Sequence, residues 1–360
     1  MTAPNLQVME DVQRMFDQLI VKDDEVSTLV KGSKVVHSIT KLPGDASSRR
    51  YYRVKTAAGS HVVMRMDPFP QNGENLPFIV MQRHLLAAGM DVPAIVDIDP
   101  PRGLILLEDL GDVTMLRRLQ EVSNADVERH IYERVINSLI ELQVKASPKN
   151  RPADIEAFKL RFDEEKLMWE VNFTIEHFYE LHLKRKLSDT DRKTMQDGFG
   201  EICSFLADQP TVLTHRDFHS RNVMVSPPHG SAGLEERLVM IDFQDARLGP
   251  AVYDLASLLK DSYYQLEENQ ISRLLDYYLA RWEALTGEVL NRADFRFVFD
   301  MMSIQRNFKA IGSFASFLNR RGDATYLKYI GNTFENIRRT LLKYPNYSNL
   351  REVLFHYYYF

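Results

Sequence analysis

The hydrophobic pattern of the chain changes from strand-like to helical near residue 108, and this change limits the folds that are open to it. From about Val35 to Leu107 the apolar residues fall in short β-rich runs, VVHSIT, YYRVK, HVVMRM, IVDI and GLILLE, with one helical stretch, NLPFIVMQRHLLAAG, among them. After LEDLGD, long segments such as ADVERHIYERVINSLIELQVK and DRKTMQDGFGEICSFLADQ carry helical spacing with capping residues before them. The sequence therefore predicts an α+β fold with two lobes. Residues 1–108 would form an N-terminal helix and a small, mostly antiparallel sheet, and residues 109–360 a larger helical lobe.

The segment before the first predicted strand has its own apolar stripe. Its apolar residues are spaced three and four apart, which places them on one side of a helix. They are Leu6, Met9, Val12, Met15, Phe16, Leu19 and Ile20. We interpret this segment as a packing helix.

Composition excludes several classes of function. A chain of 360 residues is long enough for two domains or one large elaborated domain. No run approaches the roughly 18 apolar residues of a membrane span, and with a formal net charge of −5 there is no basic stripe for nucleic acid. The start of the chain lacks the features of a secretory signal, and the single cysteine, Cys203, is interpreted as a core residue. We expect a cytoplasmic protein without a membrane, nucleic-acid or obligatory protein partner.

A dense group of polar residues, THRDFHSRN, lies between two apolar strands in VLTHRDFHSRNVMV. Three interpretations are open. The residues could satisfy one another in a structural turn, or His215, Asp217 and His219 could bind a metal in a hydrolase. In the third, Asp217 orients and deprotonates an acceptor hydroxyl while Asn222 holds a magnesium ion, as in phosphoryl transfer.

A second polar segment favours phosphoryl transfer. IDFQDA follows the apolar run LVM, so Asp242 lies at a strand end and could share the magnesium ion of Asn222. Mg²⁺ prefers oxygen ligands, and waters and nucleotide phosphates usually complete its coordination shell. One carboxylate and one amide are therefore nearly all that the protein must provide. A metallohydrolase would need further ligands at close spacing, whereas the other histidines are scattered singly.

Together, HRDFHSRN and DFQDA resemble the aminoglycoside phosphotransferase and choline kinase group, whose fold is similar to that of protein kinases. In that group the loop reads H-x-D-x-x-x-x-N and the metal-binding aspartate opens a D-F or D-W segment. The resemblance implies that Asp217 is the catalytic base and that Asn222 and Asp242 are ligands of Mg²⁺, with ATP as co-substrate. It also implies a kinase-like, two-lobed fold.

The same resemblance implies roles for two neighbouring segments. In LEDLG, Glu108 and Leu110 would belong to the connector whose backbone hydrogen-bonds adenine. GPAVYDLASLL is similar to the family's P-x-x-Y-D-L stretch, in which the aspartate, here Asp254, ties down the catalytic loop; His215 would support the loop as well. A simple helix N-cap is the competing account of Asp254.

The predicted nucleotide loop departs from the kinase pattern. Kinases use a glycine-rich loop so that backbone amides can approach the phosphates, whereas LPGDASSRRYYRVK has one glycine. The assigned loop residues are Gly44, Asp45, Ala46, Ser47 and Ser48. Arg49, Arg50 or Arg53 could add charge, and Arg65 is the nearest cation to the place where kinases carry a strand lysine.

A narrower resemblance covers about Pro43 to Phe314. GDASSRRYYRV, HRDFHSRNVM, IDFQDARLGPAVYDLASLLKD and SIQRNFKAIGSFA are together similar to the bacterial cell-wall-recycling sugar kinases that phosphorylate N-acetylmuramate and N-acetylglucosamine at the anomeric hydroxyl. The resemblance implies an ATP-dependent kinase for a small amino sugar. The alternatives are an aminoglycoside- or choline-type kinase and a nucleotide-binding pseudoenzyme, the latter because the glycine-rich loop and the strand lysine are missing.

Candidate acceptor-binding residues flank the loop and lie on a later helix. His219 and Arg221 could contact the sugar or the transferring phosphoryl group, although Arg221 could instead pair with Asp245, itself a candidate. In SIQRNFKAIGSFASF the spacing places Gln305 and Lys309 on one face of a helix. Arg306 or Lys309 could face the carboxylate of an acidic sugar, and a solvated polar face is the alternative.

Overall fold

A five-stranded antiparallel sheet forms the first part of the protein in the computed structural model, which describes residues 7–15, 36–43, 49–57, 59–70, 73–228 and 235–359. Its spatial order is β1-β2-β3-β5-β4, and all its pairs are antiparallel. The strands are β1 (Val36–Lys41), β2 (Arg50–Thr56), β3 (Gly59–Arg65), β4 (Ile95–Asp99) and β5 (Leu104–Glu108). The predicted small antiparallel sheet is confirmed.

The two faces of the sheet pack against different helices. A helix over residues 7–15, α1, covers one face, where Val8, Val12 and Met15 are buried against Val54 and Val63. The other face packs on α2 (Pro77–Ala87) and joins the main core of the protein. The predicted packing helix is thus confirmed for these residues, while Leu6, Phe16, Leu19 and Ile20 lie outside the described ranges.

The helical lobe begins after the sheet, as predicted. Its helices are α3 (Met115–Glu121), α4 (Ala125–Lys145), α5 (Glu164–Thr174) with a π-helical continuation (Ile175–His182), α6 (Asp189–Ala207), α7 (Val252–Leu259), α8 (Glu268–Thr286), α9 (Arg292–Arg321), α10 (Ile330–Leu341) and α11 (Ser348–Tyr359). Capping residues lie at the N-termini of several of these helices. There a short polar side chain accepts hydrogen bonds from backbone N–H groups that have no partner within the helix. These caps are Asn124, Asp163, Ser188 and Asn291. The sheet ends at Glu108; the division of the chain into two domains there stays a prediction.

The long helix α9 runs through the centre of the helical lobe and packs on α5, α7 and α10. Its approach to α5 is close at Gly312, where an added Cβ would lie 2.3 Å from Thr174 Oγ1. The Thr174 hydroxyl donates to Phe308 O at 3.0 Å, so the two helices are also joined by a hydrogen bond. This packing fixes the position of the polar residues that α9 carries.

Cys203 of α6 is fully buried in this core, as predicted, and burial raises the pKa of its thiol to about 12. Across the described ranges, none of the helices is both long enough and apolar enough to span a bilayer.

Two short antiparallel ladders complete the helical lobe. The strands are β6 (Thr211–Thr214), β7 (Val223–Ser226), β8 (Arg237–Met240) and β9 (Arg247–Pro250). β6 pairs with β9, and β7 pairs with β8. The polar segments singled out in the sequence lie in the connections between these strands.

Candidate active site

Two loops face each other because paired strands hold both of their ends. Loop 1, residues 215–222, runs from β6 to β7, and loop 2, residues 241–246, runs from β8 to β9. The strand pairs at the loop ends are Thr214 with Arg247 and Val223 with Met240. A backbone hydrogen bond from Ile241 N to Asn222 O, at 3.0 Å, joins the loops directly. The two motifs, which are distant in the sequence, therefore meet.

Asp254 anchors the start of loop 1. Its buried carboxylate accepts hydrogen bonds from the backbone N–H groups of His215, at 2.6 Å, and Arg216, at 2.9 Å. Burial raises the pKa of Asp254 to about 7, although these two donors favour the charged form. The alternative account of Asp254 as a helix N-cap is wrong, because Ala251 is the N-cap of α7 and Asp254 lies inside the helix.

Each loop contains one residue with left-handed backbone. Arg216 has φ of 81° and Asp242 has φ of 67°. Residues with a side chain seldom adopt this conformation, and when they do it is often at functional sites. Here hydrogen bonds hold both residues: Asp254 accepts from Arg216 N, and Gln244 Nε2 donates to Asp242 Oδ1 at 2.7 Å.

Asp217 lies at the centre of loop 1 with two cations beside it. Its Oδ1 atom is 3.3 Å from Arg306 Nη2 and 3.3 Å from Lys309 Nζ, and about a quarter of its side chain (27%) is exposed. Burial by itself would raise the pKa of Asp217, but Lys309 and Arg306 outweigh burial and hold it well below its usual range. Asp217 is therefore ionised at neutral pH.

Asn222 and Asp242 offer oxygen ligands on the same side of the two loops. Asn222 Nδ2 donates to Asp217 O at 2.9 Å, which orients the side-chain amide, and both Asn222 and Asp242 line one cavity. One amide oxygen and one exposed carboxylate suit Mg²⁺, which nucleotide phosphates and waters would complete. The donor set present thus fits the predicted metal.

The metallohydrolase interpretation is not supported. In the described part of the chain, no group of three or more His, Cys, Asp and Glu side chains could hold a metal ion. His215 is buried against the ring of Phe218, with ring centroids 5.6 Å apart, while His219 packs on Tyr263 at 5.1 Å. Burial lowers the pKa of His219 to about 3. Asp217 acts to raise this pKa, whereas the positive charges of Arg306 and Arg221 lower it further.

A cavity of about 740 Å³ connects the sheet with both loops and with α9. Its volume is in the range of small-molecule sites. The lining includes Tyr51, Arg53 and Val62 of the sheet, the predicted connector Leu107–Gly111 with the adjoining Asp112, Asp217, Asn222 and Asp242 of the loops, and Arg306 and Lys309 of α9. The predicted catalytic and metal-binding residues therefore share one cavity with the predicted connector.

The predicted nucleotide residues are only partly brought together. Glu108 and Leu110 line the cavity, and Glu108 accepts from Ala94 N at 3.2 Å. The predicted loop of Gly44, Asp45, Ala46, Ser47 and Ser48 lies outside the described residues. The residues on either side of it are described, and Pro43 lines the cavity.

Arg65 does not face the cavity, contrary to its predicted role. It lies on the α1 side of the sheet, where its Nη2 atom is 3.7 Å from Asp11 Oδ2. Side chains alternate along β3, so Val62 and Met64 point to the cavity side and Val63 and Arg65 to the other. The cation that the sheet places in the cavity is Arg53, which β2 pairs opposite Val62.

Arg306 and Lys309 do not lie on a solvated face, so that alternative is wrong. Arg306 is buried, its Nε donates to Ser257 Oγ at 2.9 Å, and both cations line the cavity. Gln305 lies one turn before Lys309 on α9, as predicted, but it does not line the cavity. It is fully buried, and its Nε2 donates to Glu170 Oε2 at 3.1 Å.

The alternative considered for Arg221 was an ion pair with Asp245. Asp245 pairs with Arg216, at 3.3 Å between Nη1 and Oδ2. Arg221 instead lies over two aromatic rings, 5.0 Å from the centroid of Tyr263 and 5.4 Å from that of Tyr326. Both Asp245 and His219 line the cavity.

An aromatic wall at the α9 end of the cavity was missed by the sequence interpretation. It consists of Tyr263, Phe314, Phe317 and Tyr326. Phe314 and Phe317 follow Arg306 and Lys309 on α9 at helical spacing, so the same periodicity could have placed them on the cavity side. Such rings can pack against the apolar face of a small ligand.

Comparison with known proteins relates this site to a family. The family described as "Phosphotransferase enzyme family" matches residues 38–287. An N-acetylmuramate/N-acetylglucosamine kinase from Neisseria meningitidis serogroup B is 31% identical over 317 residues, covering 88% of this chain and 89% of the relative. The protein of the same name from Pseudomonas putida is 29% identical, covering 92% of this chain and 93% of its own.

Solved structures support the same fold. A choline kinase from Cryptosporidium parvum Iowa II aligns with a TM-score of 0.58 at 11% identity, covering 87% of this chain and 91% of that one. An ADP-bound aminoglycoside phosphotransferase aligns with a TM-score of 0.54 at 15% identity, covering 92% of this chain and 99% of that one. The predicted kinase-like fold is confirmed. From the family match and the relatives, we conclude that this chain belongs to the phosphotransferase enzyme family.

Proposed function

We propose that the protein transfers the γ-phosphoryl group of ATP to the anomeric hydroxyl of N-acetylmuramate, N-acetylglucosamine or both, in the cytoplasmic recycling of cell-wall sugars. The observation that carries the proposal is that Asp217, in contact with the cations of α9, lines one cavity with Asn222 and Asp242. The names of the similar relatives support the sugar as acceptor.

Asp217 is the proposed general base. Its Oδ1 atom faces Arg306 and Lys309, so Oδ2 is the atom for the acceptor hydroxyl. The hydroxyl proton passes to Asp217 as the sugar oxygen bonds to the γ-phosphorus. The bond from that phosphorus to the β–γ bridging oxygen breaks, and ADP leaves with the electron pair. General-base assistance contributes roughly 10²–10⁴-fold, and alignment and charge neutralisation contribute the rest.

Asn222 and Asp242 would hold Mg²⁺, which neutralises charge on the phosphates when it is bound. The hydrogen bond that Asn222 Nδ2 donates to Asp217 O positions Asn222 for this role. The hydrogen bond that Gln244 Nε2 donates to Asp242 Oδ1 does the same for Asp242. The connector backbone at Glu108 and Leu110 would bind adenine, and we keep Gly44–Ser48 as the proposed phosphate loop. Because of its position behind the sheet, Arg65 has no part in the proposal.

The charges beside Asp217 argue against an aminoglycoside as acceptor. A polycationic drug requires a strongly acidic acceptor site, whereas the side chains that contact the Asp217 carboxylate are Arg306 and Lys309. A neutral or acidic sugar avoids the repulsion that a polycation would meet there. The aromatic wall suits the apolar face of a sugar ring.

The proposal is tested by incubating the protein with Mg-ATP and a panel of amino sugars, choline and aminoglycosides. We expect a sugar phosphate whose phosphorus NMR signal couples to the anomeric proton. Asp217→Asn, which is nearly isosteric, should reduce turnover by roughly 10²-fold or more and leave nucleotide affinity nearly unchanged. Phosphorylation of choline or an aminoglycoside with no product from any amino sugar would refute the proposal.

A further inference from the structure

We infer that Lys309 of α9 contacts the transferring phosphoryl group and so supplies, from the helical lobe, the positive charge that kinases usually supply from strand β3. The inference rests on the proposed kinase function. It assigns Lys309 to the phosphate and not to the acceptor sugar.

The sheet provides little free charge for the phosphates. On the cavity side of β3, Val62 lines the cavity and Met64 is fully buried in the apolar core. Phe78 of α2 also lines the cavity and stacks on Phe243 of loop 2, with ring centroids 5.3 Å apart. These residues of β3 and α2 are thus apolar, whereas kinases pair a strand lysine with a helix glutamate.

Arg53 is the one Lys or Arg that the described part of the sheet contributes to the cavity lining. Its guanidinium already pairs with two carboxylates, that of Asp109 in the connector and that of Asp112 directly after it. Arg53 Nε is 2.7 Å from Asp109 Oδ2, and Arg53 Nη1 is 2.8 Å from Asp112 Oδ1. Moving Arg53 to a phosphate would leave both acids without this partner.

The other cavity-lining cations of the helical lobe are held by protein groups. Lys260 is buried and pairs with Glu268, and Arg216 pairs with Asp245. Arg306 donates through Nε to Ser257 and through Nη2 to Asp217, so it is fixed at two points. Arg306 is accordingly a positioning residue for Asp217.

Lys309 is different because its ammonium group has donors to spare. Within the described residues it donates to a single group, Asp217 Oδ1, at 3.3 Å, and its side chain is 13% exposed. An ammonium has three N–H donors on a flexible stem. Two of them therefore remain for a ligand that enters the cavity.

The position of Lys309 matches that of the phosphoryl group. The acceptor oxygen must lie within hydrogen-bond reach of Asp217, and the γ-phosphorus lies roughly 3–3.5 Å beyond it at the start of transfer. A cation in contact with Asp217 can thus reach an oxygen of that phosphoryl group by rotation of its stem. It would also offset the repulsion between the γ-phosphate and the Asp217 carboxylate.

Nucleotide binding without acceptor tests the inference first. We expect Lys309→Met to weaken binding of a non-hydrolysable Mg-ATP analogue by roughly tenfold or more, as for loss of a charged hydrogen bond, and to leave ADP binding unchanged. Lys309→Arg should retain part of the preference for the ATP analogue over ADP. Lys328→Met, which removes an exposed lysine outside the cavity lining, is the matched control, and thermal unfolding of each variant verifies its fold.

Turnover with two sugars provides the second test. Lys309→Met should lower kcat by roughly 10²-fold or more, and by the same factor for N-acetylglucosamine and for N-acetylmuramate, because the phosphoryl group is common to both reactions. A loss confined to the acidic sugar would overturn the inference and assign Lys309 to the sugar carboxylate.

A third variant tests whether the positive charge at the phosphoryl group comes from the strand-rich part of the protein or from the helical lobe. Arg49 lies near the cavity, with its guanidinium carbon 6.0 Å from the Phe78 ring centroid. If Arg49→Met abolishes the discrimination between the ATP analogue and ADP while Lys309→Met preserves it, the inference is wrong. If the discrimination depends on Lys309 but no amino sugar is phosphorylated, the proposed acceptor is wrong and the inference stands.

Discussion

In the proposed reaction Asp217 accepts a proton, although two cations hold its pKa low. A carboxylate in this state is a weak base, but it remains ionised under all ordinary conditions. An anomeric hydroxyl is more acidic than an ordinary alcohol because the ring oxygen withdraws electron density. The weak base therefore suits this acceptor, and Lys309, one of the two cations that lower the basicity of Asp217, can also stabilise charge on the phosphoryl group.

Asp254 is the residue whose removal should most disturb loop 1 without touching a ligand. Asp254→Ala leaves the N–H groups of His215 and Arg216 without their acceptor, and each unsatisfied buried donor costs about 1–3 kcal/mol. We expect a loss of about 2–4 kcal/mol in the free energy of unfolding, measured in urea, together with a fall in kcat. Asp254→Asn, which keeps one acceptor oxygen, should be intermediate. Unchanged stability and turnover in Asp254→Ala would contradict the anchoring role.

At the scale of single residues, the sequence predicted which residues belong to the candidate site better than it predicted the directions in which side chains point. The spacing of Asp217, Asn222 and Asp242 predicted three residues that the structure brings to one cavity. Arg65 was misplaced because both faces of β3 are apolar, so alternation alone does not reveal which face meets the ligand. Asp245 was considered as a partner of Arg221, but it pairs with Arg216. The left-handed backbone that Arg216 adopts has no signature in the sequence.

At the scale of elements, helix α9 combines packing with chemistry. Its cavity side carries Arg306, Lys309, Phe314 and Phe317, and the contact with α5 at Gly312 fixes its position. Helical spacing predicted that some of these residues share a face. The choice of face was not predictable, because Gln305 is as polar as its neighbours and yet is buried against Glu170.

Helix α10 offers a test of pH dependence within one element. Glu335 accepts from Arg338 at 2.7 Å and from Arg339 at 2.8 Å, and these bonds, opposed by burial, lower its pKa to about 2. The unfolded chain takes up the proton near the ordinary Glu value, so this contribution to stability is present above about pH 4.5 and is lost as the pH falls towards about 2.

We therefore expect Glu335→Gln to lower the free energy of unfolding at pH 6, by about 1 kcal/mol at most because the pair is partly exposed. The difference from the unmodified protein should shrink as the pH falls to 3. Urea unfolding at a series of pH values measures it, with Glu352→Gln on the exposed side of α11 as control. A difference that is constant with pH would show that the ion pairs do not contribute.

At the scale of the whole molecule, the strand-rich and helical parts are joined by a charged contact beside the connector. Arg237 of β8 donates to Asp91 Oδ2 at 3.1 Å, and its Nη1 donates to Glu108 Oε1 at 2.5 Å. Its side chain is 11% exposed, which makes it better shielded from water than a typical surface pair. This contact links the end of β5 at Glu108 to β8, the strand that leads into loop 2.

Arg237→Met should loosen this arrangement. We expect a higher KM for ATP, a smaller change in kcat, and faster hydrogen exchange of the backbone amides of β5 and the connector, because Asp91 and Glu108 lose their shared cation. Arg292→Met, which removes an exposed ion pair with Asp276, is the matched control and should change none of these. An unaltered KM and exchange pattern in Arg237→Met would mean that the two parts are held without it.

The pairing of both loop ends has a consequence for how this protein can vary in length. Because the strand pairs fix both ends of each loop, adding or deleting a residue in loop 1 or loop 2 would change the spacing of Asp217, Asn222 or Asp242 relative to the others. The connection from β7 to β8 is under no such restriction, since it joins the far ends of that ladder. Insertions such as a fused tag or a reporter should therefore be accepted between Ser226 and Arg237, where they can grow without changing the spacing of the catalytic groups.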